Sequence, residues 1–169
     1  QVTHVALEAI ELAAQSLGAL IWLGRHSSAY RVGLLGLGFV RRLGITSLQP
    51  FFALYVDYLH RLHSLAQVPG LLPPPAPPSS DESGTLRELQ NRLDGLLLIK
   101  RRHLAEAAAR FRTAMQISRE QGDELLALFC QLQTTLTLHY QGQLAEAQRE
   151  ADALVAQASG YDSHQYQAW

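Results

Sequence analysis

The residues Leu-Ala-Glu-Ala occur twice, at Leu104–Ala107 and at Leu144–Ala147, forty positions apart. A stretch that returns at such an interval marks an array, in which one small unit stacks on copies of itself. Each copy follows a polar turn, Arg102-His103 or Gly142-Gln143, and opens a run rich in Ala and Glu. The unit is therefore a pair of helices, with the tetrapeptide at the start of the second. A third, weaker copy lies at Gly24–Ala29, because Ala29 and Ala107 are each followed fifteen residues on by a glycine, Gly44 and Gly122. One hairpin of helices cannot bury its own apolar face, but stacked hairpins can. The repeat thus predicts an all-α chain of tandem antiparallel helix hairpins.

Local signals agree with this. Leu7, Ile10, Ala14, Leu17 and Ile21 recur at three- and four-residue steps and predict a helix over 5–23. A break follows at Gly24, with a serine cap at Ser27 or Ser28, and a second helix over 29–43 ends at Gly44. Thr46 or Ser47 caps a third helix, with Pro50 in its first turn, that runs to about residue 68. Pro73-Pro74-Pro75-Ala76-Pro77-Pro78 can be neither helix nor central strand. The stretch 69–84 reads as an exposed linker. Beyond it, Thr85 with Glu88 matches a capping box, and a helix runs to about residue 101. Further helices over 104–121, 124–141 and 144–159 end at Gly122, Gly142 and Gly160; Asp123 caps the middle one. Residues 163–169 read as the start of another. No segment alternates with period two, so no sheet is expected. The expected division is 1–68 as a degenerate N-terminal repeat, 69–84 as linker, and 85–169 as repeats.

These residues resemble the tetratricopeptide (TPR) repeat. That family has a small residue in the first helix, a turn glycine, a bulky residue and then Ala early in the second helix, and an aromatic and a small residue further along. Gly95, Leu98, Leu104, Ala107, Phe111 and Ala114 stand at matching positions, as do Leu138, Gly142, Leu144, Ala147 and Leu154 one unit later. The second set departs, with Thr135 at the first small position and Ala151 where an aromatic is usual. In the first unit Gly33 and Gly36 take the aromatic and small places. The terminal proline is missing, and the period is near 40 rather than about 34. Longer repeats of this kind look like those in bacterial signalling proteins and in large transcriptional activators.

The resemblance implies a right-handed superhelix whose inner face is lined by the first helix of each unit. Mapped onto this chain, that face is Leu89, Arg92, Leu96 and Ile99, then Phe129, Leu132, Leu136 and His139. So apolar a set suits a protein or peptide segment, such as an amphipathic helix. Apolar patches are mostly core, however, and the first reading of the same residues is burial against neighbouring helices or the N-terminal part. The implied role is a non-catalytic module for protein–protein interaction, a scaffold or sensor region of a larger bacterial regulatory protein. The alternative is a small-ligand-sensing or oligomerisation domain of a transcriptional regulator.

The remaining features limit the chemistry. Lys and Arg number 14 against 15 Asp and Glu, without the basic excess of a nucleic-acid binder, so no direct nucleic-acid binding is expected. Cys130 is the single cysteine, which fits a reducing compartment and a cytoplasmic protein. The apolar stretch 32–40 is too short to span a membrane. The chain opens on Gln1 without a secretory signal, and a piece of a longer protein is expected. Asp57, His60 and His63, spaced by three, could put metal ligands on one helix face, but the tight helical motif sets two histidines four apart. Asp162-Ser163-His164 holds triad-type residues, yet a triad is spatial and a helix cap explains them better. Gly33, Gly36 and Gly38 are read as close helix packing, since no strand precedes them. Neither an enzyme, a metal nor a cofactor is expected.

Overall fold

The computed structural model describes residues 2–67 and 83–159, and among them every regular element is helical. In chain order these are α1 (Val2–Trp22), α2 (His26–Arg42), a 3-10 turn at Thr46–Leu48, α3 (Gln49–Gln67), α4 (Gly84–Lys100), α5 (Leu104–Glu120), α6 (Glu124–Tyr140) and α7 (Leu144–Ala158). They fall into two compact units, α1–α3 and α4–α7. Within each unit every helix packs on the next. Most of the expected linker, and the helix expected over 163–169, lie outside the described residues.

The forty-residue period is built from a twenty-residue step. Backbone φ is positive at Gly24 and Gly44, then at Arg102, Gly122 and Gly142, with values from 65° to 77°. Each of these residues ends a helix in the same way. Gly122 N donates to Arg119 O at 3.0 Å, and Asp123 N donates to Ser118 O at 2.9 Å. Equivalent bonds recur at the other four positions. This double bond satisfies helix-end carbonyls that would otherwise be orphaned, and it needs a left-handed residue, which is why glycine recurs. The chain reverses there, so α4 and α6 run parallel to each other, with α5 antiparallel to both.

Arg102 is the exception, because a side chain in the left-handed region is strained by about 1–2 kcal/mol. Arg102→Gly is therefore expected to stabilise the α4–α7 unit by about 1 kcal/mol, a rise in its melting temperature of roughly 4–8 °C. Thermal unfolding followed by circular dichroism checks this; an unchanged or lowered midpoint would mean that the arginine side chain contributes more than its backbone strain.

Three expected caps are corrected. Thr46 and Ser47 do not cap α3 but lie inside the 3-10 turn before it, which starts at Ile45 without a side-chain bond. The cap of α4 is Ser83, whose hydroxyl accepts from Leu86 N at 3.4 Å, rather than Thr85. The capping box does not close, because Glu88 is buried and binds Arg92 instead. The cap of α2 is Arg25, without a side-chain bond, while Ser27 and Ser28 lie inside the helix. Asp123 does cap α6, accepting from Leu126 N at 3.0 Å.

Two helix pairs, α2–α3 and α4–α5, pack by one rule, a missing side chain opposite a ring. A Cβ added to Gly95 would lie 2.8 Å from the ring of Phe111, sixteen residues later, and one added to Gly36 would overlap the ring of Phe52, again sixteen later. Both rings are fully buried. The α2–α3 pair is thus built like α4–α5, with α2 in the first-helix place. Gly33 is tight mainly against α3, where an added Cβ would lie 3.1 Å from Val56; Leu17 of α1 would be at an ordinary contact distance, 3.6 Å. Close packing thus accounts for Gly33 and Gly36, whereas Gly38, expected to serve it too, is exposed with open space around it. Close approach through glycine brings helix axes together and offsets its helix-propensity penalty of about 1 kcal/mol.

Candidate functional site

Helix α6 is apolar on both sides, and its buried side is unusually rich in polar groups. That side carries Ala127, Leu128, Cys130 and Leu138 together with Gln131, Gln133, Thr134, Thr135 and Thr137. Its exposed side carries Leu125, Leu132, Leu136 and Tyr140, at 37% to 62% of full exposure. With half-buried Phe129, these side chains recur at steps of four, three, four and four, which is one stripe along the helix. From Leu125 to Ala145 there is no Asp, Glu, Lys or Arg.

The polar groups of Gln131 and the three threonines can be buried because each finds a partner within reach. Thr134, Thr135 and Thr137 donate their hydroxyls to the carbonyls four residues back, at 3.0, 3.0 and 2.6 Å, so their polarity is satisfied inside the helix. Gln131 accepts from Arg119 of α5 at 3.3 Å and donates to Glu150 of α7 at the same distance. Three helices are tied at one amide. Residues that satisfy themselves need no water, so Leu125, Leu132 and Leu136 take the open side while Leu128 and Leu138 join the core.

Helix α4 lies beside α6 on this face. The Arg92 guanidinium sits 5.9 Å from the centre of the Phe129 ring, and the Cys130 thiol donates to Glu88 at 3.8 Å. Glu88 is buried and also accepts from Arg92 Nε at 3.0 Å. Burial holds its carboxyl above the usual range; Arg92 pulls it down, and Asp123 pushes it up. Burial raises the Cys130 thiol to about 12, with Glu88 adding to the rise. A cysteine so placed is a protonated core residue and not a nucleophile. In the other unit, burial and then Tyr55 raise the Tyr58 hydroxyl to about 12.

The expected inner-face residues divide as follows. Leu132, Leu136 and His139 are exposed, while Arg92, Leu96, Ile99 and Phe129 are half-buried. Leu89 is core, at 2% exposure. Arg92 and Phe129 come together through the ring contact. Leu125 and Tyr140 belong to the stripe and were not anticipated; the charge-free run around them is the signal that marks them. The α1–α3 unit has an exposed stripe of its own on α2 and its C-cap, Leu35, Phe39 and Leu43, at steps of four.

Of the features weighed for metal chemistry, Asp57 pairs with Arg61 one turn on. Among the described residues no three His, Cys, Asp or Glu are placed to hold an ion. Asp162-Ser163-His164 lies outside them. No described helix is long and apolar enough to cross a membrane. Comparison of the chain with protein-family models, curated proteins and solved structures gives no match.

Proposed function

We propose that this chain is a non-catalytic helical-repeat module for protein–protein interaction, with its hairpins stacked in the TPR manner. In this reading it is a cytoplasmic scaffold or sensor region of a larger bacterial regulatory protein. The single observation that carries the interaction role is the exposed stripe of α6. Contiguous apolar surface on a folded domain marks a place where another molecule sits. The twenty-residue step and the glycine–ring pairs support the stacked-repeat part. The bacterial and regulatory part rests on the resemblance of the repeat alone.

The test is a selection of peptides from a random display library against the full chain. Selected peptides are expected to bind the wild type and to lose at least about tenfold in affinity to Leu132→Glu/Leu136→Glu, since placing charge on an apolar contact costs more than 1.4 kcal/mol. Both positions are exposed, so circular dichroism should show the variant folded. Selected peptides that bind both proteins alike would place the docking surface elsewhere.

A further inference from the structure

The stripe on α6 has a size and an electrical polarity, and together they describe what covers it. Its apolar part is one row of side chains. Beside it on α4, Leu89 is buried and Leu96 and Ile99 are half-buried, so little apolar surface is added. One row along a helix about 26 Å long falls short of the roughly 600 Å² per partner that the smaller stable dimers bury. It matches the footprint of a single helix.

The two ends of the face differ in charge. At one end are the start of α4 and the α5–α6 turn, brought together where Gly84 meets the side chain of Gln121. Glu120, Asp123 and Glu124 are exposed there, against Arg87. At the other end are the α4–α5 and α6–α7 turns. Lys100 and Arg102 are exposed there, Arg101 is half-buried, and Glu106 is engaged by His103. Between the ends α6 offers no charge at all. Apart from Arg92 of α4, which is held by Glu88, the face is acidic, then apolar, then basic.

We propose that the occupant is one amphipathic helix of about four or five turns, from a partner protein, lying antiparallel to α4 and α6. Its first turn is acidic, its last turn is basic, and an uncharged apolar stripe runs between them. This deepens the docking reading above and rests on it. The macrodipole already favours acidic residues at a helix start and basic ones at its end. Laid antiparallel, such a helix sets its acidic turn against Lys100 and Arg102 and its basic turn against Asp123 and Glu124. It takes the relation to α4 and α6 that α5 has on their other side. Rim charges of this kind set orientation and partner choice more than raw affinity.

The experiment uses two labelled synthetic peptides of about eighteen residues. They share a leucine stripe and one composition. One carries Glu in the first turn and Lys in the last, and its twin has these ends exchanged. Binding to the full chain is read by fluorescence anisotropy. The Glu-first peptide is expected to bind about tenfold tighter, from two or three rim pairs. The preference is expected to fade at about 0.5 M salt, where screening acts within a few ångströms. Lys100→Glu/Arg102→Glu is expected to abolish or reverse it. Equal affinity of the twins, or a preference that this variant leaves intact, overturns the charge-set orientation. If both peptides bind and Leu132→Glu/Leu136→Glu changes neither, the docking reading itself fails. If neither binds and light scattering finds a dimer that the same variant dissociates, a second copy covers the face and the proposal is overturned. Absence of binding by a monomer overturns it as well.

Discussion

Truncating Phe111 to alanine is expected to remove about 3–5 kcal/mol of stability from the α4–α7 unit, the usual effect of deleting a fully buried aromatic ring. The ring is 0% exposed and sits where Gly95 lacks a side chain. Neighbouring Ala107, Ala108 and Ala114 are buried too, and residues this small cannot swing inward to fill the space. The site therefore collapses poorly, and the loss should fall near the upper end of the range. Overpacking from the other side should also be harmful. Gly95→Ala gains about 1 kcal/mol of helix propensity but drives a methyl group into the ring, at about 1–3 kcal/mol. Denaturant unfolding of both variants checks the pair. A loss under 1 kcal/mol for Phe111→Ala would mean that the glycine–ring contact does not hold α4 to α5.

Removing Arg92 is expected to have the second largest effect, about 3–5 kcal/mol at neutral pH, as when one partner of a buried ion pair is deleted. Glu88 is 2% exposed and Arg92 18%. In Arg92→Leu the carboxylate would be left with the Cys130 thiol as its hydrogen-bond donor, and the contact with the Phe129 ring would go as well. The pH dependence follows from the direction of the Glu88 shift. Its folded value lies above the unfolded value of 4.5, so the folded state holds the proton to higher pH. The favourable contribution is complete below the unfolded value and is lost as pH rises through the folded one. Without the lowering influence of Arg92 the folded value climbs further, and the loss deepens. The variant should therefore recover toward wild type as the solution is acidified. Adding Glu88→Gln should restore most of the stability at neutral pH, because no buried charge remains. Unfolding curves across pH for the single and double variants decide this; a loss independent of pH would show that Glu88 reaches water once Arg92 is gone.

Helix number and helix ends were legible because this chain writes its stops in glycine. Gly24, Gly44, Gly122 and Gly142 all sit at the left-handed turn position. Arg102 occupies that same position without the signal, and only the basic character of its surroundings was readable. The caps were less legible. Thr85 and Glu88 carry a capping-box spacing, but burial of Glu88 against Arg92 and Cys130 outweighs it and moves the cap to Ser83. Periodicity also does not say which face of α6 turns inward. Hydropathy would bury Leu132 and Leu136 and expose Thr134 and Thr137, and the fold does the reverse. Small hydroxyl side chains fit a tight interface between α5 and α7 and satisfy themselves on carbonyls four residues back, a choice visible only with neighbours in place. In α4, by contrast, Leu89 is plain core, so the two helices expected to share one lining contribute unequally to it.

The most direct measurement is the reactivity of single cysteines placed on the two sides of α6. Leu132→Cys, Leu136→Cys, Thr134→Cys and Thr137→Cys would each be made in the chain that retains buried Cys130 as an internal reference, and labelled by a thiol reagent under native conditions. The account predicts rapid labelling at 132 and 136, with 134 and 137 as slow as Cys130, whose thiol burial holds near a pKa of about 12. Rapid labelling at 134 and 137, with 132 and 136 protected, would contradict it: the leucines would then be core, and the docking face would not exist.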